Sequence, residues 1–251
     1  MNQKWNAENY AADFSFVYKY GADVLNLIEG ENVHDVIDLG CGTGTLTHEL
    51  SLRGYHVAGL DASEDMLTRA RANYPELTFT QADATNFTLA SPVDAVFSNA
   101  VLHWIDRTKQ QDMMRCVHEA LRPGGQFVFE MGGYGCGKMI HDELAKNFRA
   151  MGYEYVMPFF FPTIGEYAVM LEGAGFTVRY AILFDRPTEL TGNDGLREWI
   201  NMFVKNPFAR VSADDKEKIL RDTVDNLREK LFHGGRWYAD YVRLRMRAVK
   251  E

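Results

Sequence analysis

Three glycines alternate with other residues in Asp38-Leu39-Gly40-Cys41-Gly42-Thr43-Gly44, which follows a short apolar run. A residue without a Cβ reaches left-handed conformations and lets a ligand lie directly against the main chain. The spacing is G-x-G-x-G, and a dinucleotide fingerprint would need a further glycine at the position of Thr45. The loop predicts a backbone cradle and disfavours a dinucleotide. Its alternative interpretation is a tight strand-to-helix turn.

Two aspartates stand at the ends of the next predicted strands. Asp61 closes Ala58-Gly59-Leu60-Asp61, where a carboxylate can accept hydrogen bonds from both ribose hydroxyls of an adenosyl group. Asp83 can accept from an adenine amino group while the next backbone N–H meets a ring nitrogen. A helix cap is the alternative for Asp61, and a turn residue for Asp83. Because strand ends of a parallel sheet share one edge, the loop and both acids predict one site.

The elements that must position these residues are consecutive β-α-β units between Val33 and Met131, where short apolar runs alternate with helical patterns. Later in the chain, helical insertions near 138–165 and 188–235 are expected to cap the site. The predicted strands are 36–39, 55–60, 77–80, 94–98, 126–130, 176–184 and 241–248. These patterns predict an α/β fold.

Charge and composition narrow the class of partner. The 251 residues carry a net charge of -8, which repels polyphosphate backbones and anionic lipid, so we expect a small-molecule substrate and no nucleic-acid or membrane partner. No run approaches the roughly 20 apolar residues of a membrane span, and no signal-peptide pattern is present, so the cytoplasm is the expected compartment. The cysteines and histidines lack ligand spacing, so no metal site is predicted.

The sequence resembles the class I S-adenosylmethionine (SAM)-dependent methyltransferases, type 11 branch, over nearly its whole length. The resemblance implies a Rossmann-like fold with a seven-stranded, mostly parallel sheet whose last strand is antiparallel, and an enzyme that uses SAM as its cofactor. The motifs that carry it are Asp38–Gly44, Gly59-Leu60-Asp61-Ala62-Ser63 with Met66, Gln81-Ala82-Asp83-Ala84, and Leu121-Arg122-Pro123-Gly124-Gly125.

Site roles follow from that resemblance. It implies that the glycine loop cradles the methionyl part and that Asp61 holds the ribose. It also implies that Met66 packs on the adenine, whose edge is read by Asp83 and Ala84. Further segments, Ser98–Trp104 among them, look like trans-aconitate methyltransferases. The implied cofactor site consists of Tyr10, Asp38, Gly40, Cys41, Gly42, Gly44, Asp61, Ala62, Met66, Asp83, Ala84, Asn99 and Ala100.

The resemblance to trans-aconitate methyltransferases implies that Asn99 and Ala100 pass near the methionyl group and that Tyr10 closes over the cofactor. That group carries glutamine at the position of His103, which here is the candidate catalytic residue because imidazole ionises in the range that a general base needs. A base is required only where the acceptor must lose a proton, and a carboxylate acceptor needs none. His103 and Trp104 are also candidates for the substrate wall, and a structural role is the remaining interpretation for His103.

Two other function classes compete with the methyltransferase. Gly132–Lys138 fits G-x-x-x-x-G-K after a strand, which would suit a phosphate- or nucleotide-binding enzyme. Position 139 is Met139, so the hydroxyl that would hold Mg²⁺ is missing. The other alternative is a SAM-binding regulatory or scaffolding protein without turnover.

Several arginines could bind an anionic ligand. Arg243, Arg245 and Arg247 alternate with apolar residues and predict a partly solvated strand face. Four more are candidates for binding a carboxylate, each with a plain surface charge as the alternative. They are Arg186, Arg197, Arg210 and Arg236.

These observations predict a single methyltransferase domain over residues 1–251. Residues 1–30 are expected to form an N-terminal helical lid, 31–131 the SAM-binding core, and 132–251 the substrate caps and last two strands. The predicted reaction is methyl transfer from SAM to a small molecule, with a carboxylate as one candidate acceptor.

Overall fold

A computed structural model describes residues 23–251, and its main feature is one seven-stranded sheet. In chain order the strands are β1 (Asp35–Leu39), β2 (His56–Asp61), β3 (Thr78–Gln81), β4 (Val93–Asn99), β5 (Leu121–Gly132), β6 (Phe176–Asp185) and β10 (Val242–Lys250). Their spatial order is β3-β2-β1-β4-β5-β10-β6. Strands β1 to β5 pair in parallel, and β10 is antiparallel to both neighbours. The predicted mostly parallel sheet with an antiparallel last strand is confirmed.

Helices connect and cover the strands. Leu46 and Leu50 bury one face of the first helix, and Ser63 caps the second by accepting the Met66 N–H at 3.4 Å. The helices are α1 (Thr45–Leu52), α2 (Glu64–Asn73), α3 (Gln110–Ala120), α4 (Lys138–Ala150), α5 (Ile164–Gly173), α6 (Gly195–Phe203) and α7 (Ala213–Leu231).

The strand order brings the predicted site residues to one edge. β1 lies between β2 and β4, so the chain changes direction across the sheet there, which is where open α/β sheets bind ligands. Leu39 of β1 is in register with Leu60 of β2, and Asp38 with Phe97 of β4. The loop after β1 and the ends of β2 and β4 therefore meet.

Strand β5 begins earlier than its apolar pattern predicts. The sequence pattern starts the strand at Gln126, whereas pairing with β4 already begins at Leu121. The register then shifts, because Pro123 has no N–H to donate and Gly124 adopts a φ of 77°. A bulge of this kind interrupts the alternation from which a strand is recognised.

The cap contains strands as well as the predicted helices. Between 188 and 239 the chain also forms a small antiparallel sheet of β7 (Thr188–Leu190), β9 (Arg236–Ala239) and β8 (Phe232–His233), in that order. With α4, α6 and α7 it encloses its own apolar core around Trp199, Trp237 and Phe208. Strands of two to four residues are too short to show a period of two. Tyr10 and most of the predicted lid lie outside the described residues.

Candidate functional site

A cavity of about 1440 Å³ opens at the C-terminal edge of the sheet. It has two ends, which we call the glycine end and the cap end. The glycine end contains every described residue of the predicted cofactor site except Gly44, and Trp104 borders it. Its residues are Asp38, Gly40, Cys41, Gly42, Asp61, Ala62, Met66, Asp83, Ala84, Asn99 and Ala100.

The three loop glycines serve different purposes. All have positive φ values, 80° at Gly40, 56° at Gly42 and 83° at Gly44. A Cβ on Gly40 would lie 2.2 Å from Val101, and one on Gly44 would lie 2.7 Å from Phe79, so both positions are closed by protein. A Cβ on Gly42 would meet nothing within 4 Å. Gly42 therefore faces open space that a ligand can fill.

Asp61 joins the end of β2 to the glycine loop. Its Oδ2 accepts the Gly42 N–H at 2.9 Å and its Oδ1 accepts the Ser63 N–H at 2.8 Å. A carboxylate has about four acceptor sites, so two remain for a ligand. Burial raises the pKa of Asp61, and the backbone hydrogen bonds oppose that shift.

Asp38 is the second acid of the glycine end. It is 2% exposed, and its Oδ2 accepts a hydrogen bond from the Thr47 hydroxyl at 2.7 Å. Burial raises the pKa of Asp38 to about 7, with the nearby Asp61 acting in the same direction. A buried and a half-buried carboxylate beside one cavity favour a ligand that carries positive charge.

The far side of the glycine end is built from β3 and α2. Met66 is 4% exposed in the first turn of α2 and presents a thioether to the cavity. Asp83 forms a turn in which its Oδ1 accepts from the Thr85 N–H and hydroxyl, at 2.9 and 2.8 Å. The predicted turn role of Asp83 and its place at the cavity therefore occur together.

The end of β4 carries a strained residue. Among residues 23–251, Ala100 is the one non-glycine residue with a positive φ, 60°. Such a conformation costs roughly 1–3 kcal/mol and tends to occur at functional sites. The Ala100 N–H donates to the Glu130 carbonyl at 2.8 Å, which holds Asn99 and Ala100 against the cavity.

The neighbouring residues His103 and Trp104 lie in different surroundings. Trp104 lines the cavity and packs edge-on against Phe159, with ring centroids 4.6 Å apart. His103 is absent from the lining, is 8% exposed, and accepts the Gly132 N–H on its Nδ1 at 3.2 Å. Burial and the positive charge of Arg243 hold the pKa of His103 well below its usual range. The imidazole is neutral and fixes the end of β5.

Of the alternating arginines of β10, Arg243 is buried, whereas Arg245 and Arg247 are half-buried, as expected for a partly solvated strand face. Glu130 is directly opposite Arg245 in register, and its carboxylate is 3% exposed. Arg245 Nε donates to Glu130 Oε2 at 2.9 Å, and Arg186 binds both carboxylate oxygens. Arg243 Nε lies 4.0 Å from Glu130 Oε1. The period of two in β10 could not reveal Glu130, on the neighbouring strand, as the acid that Arg243 and Arg245 face.

The loop from Gly132 to Lys138 does not form a phosphate cradle. Gly133 N–H donates to the Val242 carbonyl and Tyr134 N–H to the Pro162 carbonyl, at 3.0 and 2.8 Å. Gly137 N–H donates to the Asp240 carbonyl at 2.9 Å, and Lys138 pairs with Asp142. A phosphate site needs such N–H groups unpaired and converging, so these contacts count against the phosphate-binding alternative.

The cap end comes from two loops without a recognisable motif; they lie within the predicted capping insertions, but the sequence did not show which of their residues line the cavity. One loop follows α4 and the other surrounds the 3-10 turn Pro207–Arg210. The only signal was Arg210, a candidate for carboxylate binding. The residues at this end are Gly152, Tyr153, Glu154, Val156, Met157, Pro158, Asn206, Pro207, Ala209, Arg210 and Val211.

Known proteins are similar to this chain in sequence and fold. The methyltransferase domain family matches residues 36–125. A Schizosaccharomyces pombe protein described as an uncharacterized methyltransferase is 36% identical over 98% of both chains. A trans-aconitate 2-methyltransferase of Deinococcus radiodurans is 29% identical over 96% of both. The chain therefore belongs to the class I methyltransferases.

A solved structure supports the same fold. Phosphoethanolamine N-methyltransferase 2 of Haemonchus contortus, in complex with S-adenosylhomocysteine (SAH) and phosphomonomethylethanolamine, superposes with a TM-score of 0.60 at 17% identity. The match covers 97% of this chain and 56% of that one. The Rossmann-like class I fold is thus shown. Within residues 23–251, none of the helices combines the length and apolar character that crossing a membrane requires.

Proposed function

We propose that this protein transfers a methyl group from SAM to a small-molecule acceptor. The observation that carries the proposal is the open space in front of Gly42, bordered by Asp38 and Asp61 at the switch point of a class I methyltransferase fold. An adenosyl ligand with a cationic centre fits the backbone cradle and the two acids together.

The residues of the glycine end have separate roles in this proposal. Backbone from Gly40 to Gly44 cradles the methionyl part, and Asp61 uses its remaining lone pairs on the ribose hydroxyls. At the other side, Met66 packs on the adenine while Asp83 and Ala84 bind its edge.

Charge supports the choice of ligand. The ionised forms of Asp38 and Asp61 are both disfavoured, because loss of water around each carboxyl raises its pKa. A positively charged ligand compensates that cost. SAM, when bound, supplies a sulfonium that activates its methyl group and leaves as a neutral thioether. No side chain of the protein then needs to activate the methyl.

The protein's contribution to the reaction is mainly positional. Holding an acceptor in line at near-attack distance supplies much of the acceleration for such a transfer. Asn99 and Ala100 belong to the glycine end, where the strained Ala100 backbone fixes the wall. The volume of about 1440 Å³ exceeds the roughly 300–1,000 Å³ of a single-ligand pocket, so cofactor and acceptor fit together.

The acceptor class is a small molecule rather than a macromolecule. A net charge of -8 opposes binding of nucleic-acid backbones. We infer that residues 31–131 bind SAM and that 132–251 bind the acceptor, within one domain. A carboxylate is the first acceptor to test.

Methyl-labelled SAM tests this proposal in two steps. Equilibrium dialysis measures binding, and transfer of label is then followed with a panel of small carboxylic acids, phenols and amines. We expect saturable one-to-one binding and transfer to at least one class. Binding without transfer to any acceptor would favour the regulatory or scaffolding alternative, and absence of binding would refute the proposal.

A further inference from the structure

We propose that the cap end binds an apolar acceptor that carries a single negatively charged group, and that Arg210 binds that group. This inference rests on the proposed methyl transfer. It names a substrate class that differs from a polycarboxylic acid, and it makes Arg210 the residue that determines specificity.

Arg210 differs from the other arginines that were candidates for binding a carboxylate. Arg186 binds Glu130, Arg197 binds Glu217, and Arg236 binds Glu189. These three are satisfied by protein acids, and none of them lines the cavity. In the part of the chain that the structure describes, Arg210 has no ion pair with an acidic side chain, and it does line the cavity.

Two other charged side chains of the cavity, Lys109 and Asp106, are already engaged. Lys109 Nζ lies 3.1 Å from Asp112 Oδ2. Asp106 Oδ1 accepts the N–H and the hydroxyl of Thr108, at 2.8 and 2.6 Å. The Glu154 side chain is an acid and has no N–H to donate to an anion. Arg210 is therefore the cation at this end that is available to a ligand.

Of the eleven residues that line the cap end, which include Arg210, six are apolar. Val156 is 62% exposed and Met157 40% exposed, unusually high values for large apolar side chains, and both line the cavity. An apolar ligand body would cover them, gaining roughly 25 cal/mol per Å² removed from water. The other apolar residues at this end are Pro158, Pro207, Ala209 and Val211.

One cation next to an apolar wall selects a monoanion. A carboxylate that is taken out of water without a partner is strongly disfavoured, so each further acid group on a ligand would need its own cation. A tricarboxylic acid such as trans-aconitate would leave two groups unpaired. The guanidinium of Arg210 can bind one carboxylate with two parallel hydrogen bonds.

Calorimetric titration of the intact, SAH-loaded protein tests this inference. The probes are octanoate and phenylacetate as apolar monoanions, octylamine and phenethylamine as matched cations, and trans-aconitate as a polyanion. We expect octanoate or phenylacetate to bind more tightly than its matched amine and than trans-aconitate. Arg210→Gln should lower the affinity for the anion by about 10- to 100-fold.

Arg197→Gln is the matched control, because it removes a cap arginine that has a protein partner and lies outside the cavity lining. It should change octanoate binding less than about twofold. SAH affinity and thermal unfolding are measured first on each variant. If SAH does not bind the unaltered protein, the proposed function fails. If SAH binds but octanoate affinity is equal in Arg210→Gln, or no monoanion binds, or an amine or trans-aconitate binds best, only this inference is overturned.

Discussion

The glycine end and the cap end of the cavity are built in different ways. The glycine end consists of strand ends and tight turns from one contiguous stretch, 38–104, held by backbone hydrogen bonds such as that from Gly42 to Asp61. The cap end joins two loops that are about fifty residues apart in the chain, and its lining is side chains, many of them exposed. A fixed cofactor suits the first design and a variable acceptor the second.

Replacing Gly42 by valine is the most disruptive test of the glycine end. The side chain would enter the space in front of the loop, so SAM affinity should fall by more than roughly 100-fold, because a close-packed site has no room for both. The measurement is equilibrium dialysis with labelled SAM.

Gly54→Val is the control for that change. Gly54 also has a positive φ, 91°, and a Cβ there would likewise meet nothing within 4 Å, but it lies away from the cavity. Both variants should lose a similar roughly 1–2 kcal/mol of folding stability from backbone strain. Equal SAM affinity in Gly42→Val and Gly54→Val would mean that SAM does not bind against Gly42, and the glycine end would no longer be distinguished as the cofactor site.

Asp61→Ala should have the next largest effect. Loss of charge-assisted hydrogen bonds is expected to weaken SAM binding by on the order of 1.5–3 kcal/mol. Asp94→Ala removes a carboxylate that also accepts two backbone N–H groups, at His34 and Asp35, but lies outside the cavity lining. Titration calorimetry should show unchanged SAM affinity for that control. A comparable loss in both variants would mean that Asp61 acts on SAM only through stability.

A pH titration tests the acidic character of the glycine end. The pKa of Asp38 is raised to about 7, so its contribution to the stability of the unliganded protein is full below pH 3.8 and is lost as pH rises through about 7. A cationic ligand prefers the ionised form, so SAM affinity should rise from pH 6 to pH 8, by at most about 1.4 kcal/mol per unit.

Calorimetry in two buffers with different ionisation heats measures the accompanying proton release. The unaltered protein should release a fraction of a proton on binding SAM near pH 6.5. Asp38→Asn should abolish both the release and the slope with pH. Proton uptake, or a slope that survives the substitution, would count against a charged role for Asp38.

His103→Gln should have the smallest effect on methyl transfer. Loss of a general base costs about 10²- to 10⁴-fold, whereas a buried neutral imidazole that accepts the Gly132 N–H can be replaced by an amide oxygen with less than roughly a 10-fold loss. Because its pKa is held well below the usual range, kcat/KM should show no ionisation of His103 above pH 6.5. A larger loss of kcat/KM in His103→Gln, together with the disappearance of an ionisation from the pH profile, would instead show that His103 acts as a general base.

The glycine end could be predicted from sequence because its residues are adjacent in the chain. Gly42, Asp61 and Asp83 each follow a recognisable strand, and parallel pairing then brings them together. Sequence could not show that Gly40 and Gly44 are closed by Val101 and Phe79, since those contacts are tertiary.

The capping segments were predicted, but the residues that line the cap end could not be, and the reasons are physical. The loops of the cap end have no hydrophobic periodicity, and the strands of the small sheet of β7, β9 and β8 are too short to show a period of two. Arg210 looked like any other surface arginine until the structure paired Arg186, Arg197 and Arg236 with glutamates. The pairing of Arg243 and Arg245 with Glu130, a residue on another strand, could likewise not be predicted from their own segment.

A crystal structure of the protein with SAH tests the two-ended cavity most directly. The account predicts the adenosyl group between Asp61 and Asp83, the homocysteine against Gly40–Gly44, and the sulfur near Ala100 with its open side toward the cap end. SAH bound among Val156, Met157 and Arg210 instead, or a glycine end filled by protein side chains, would contradict it.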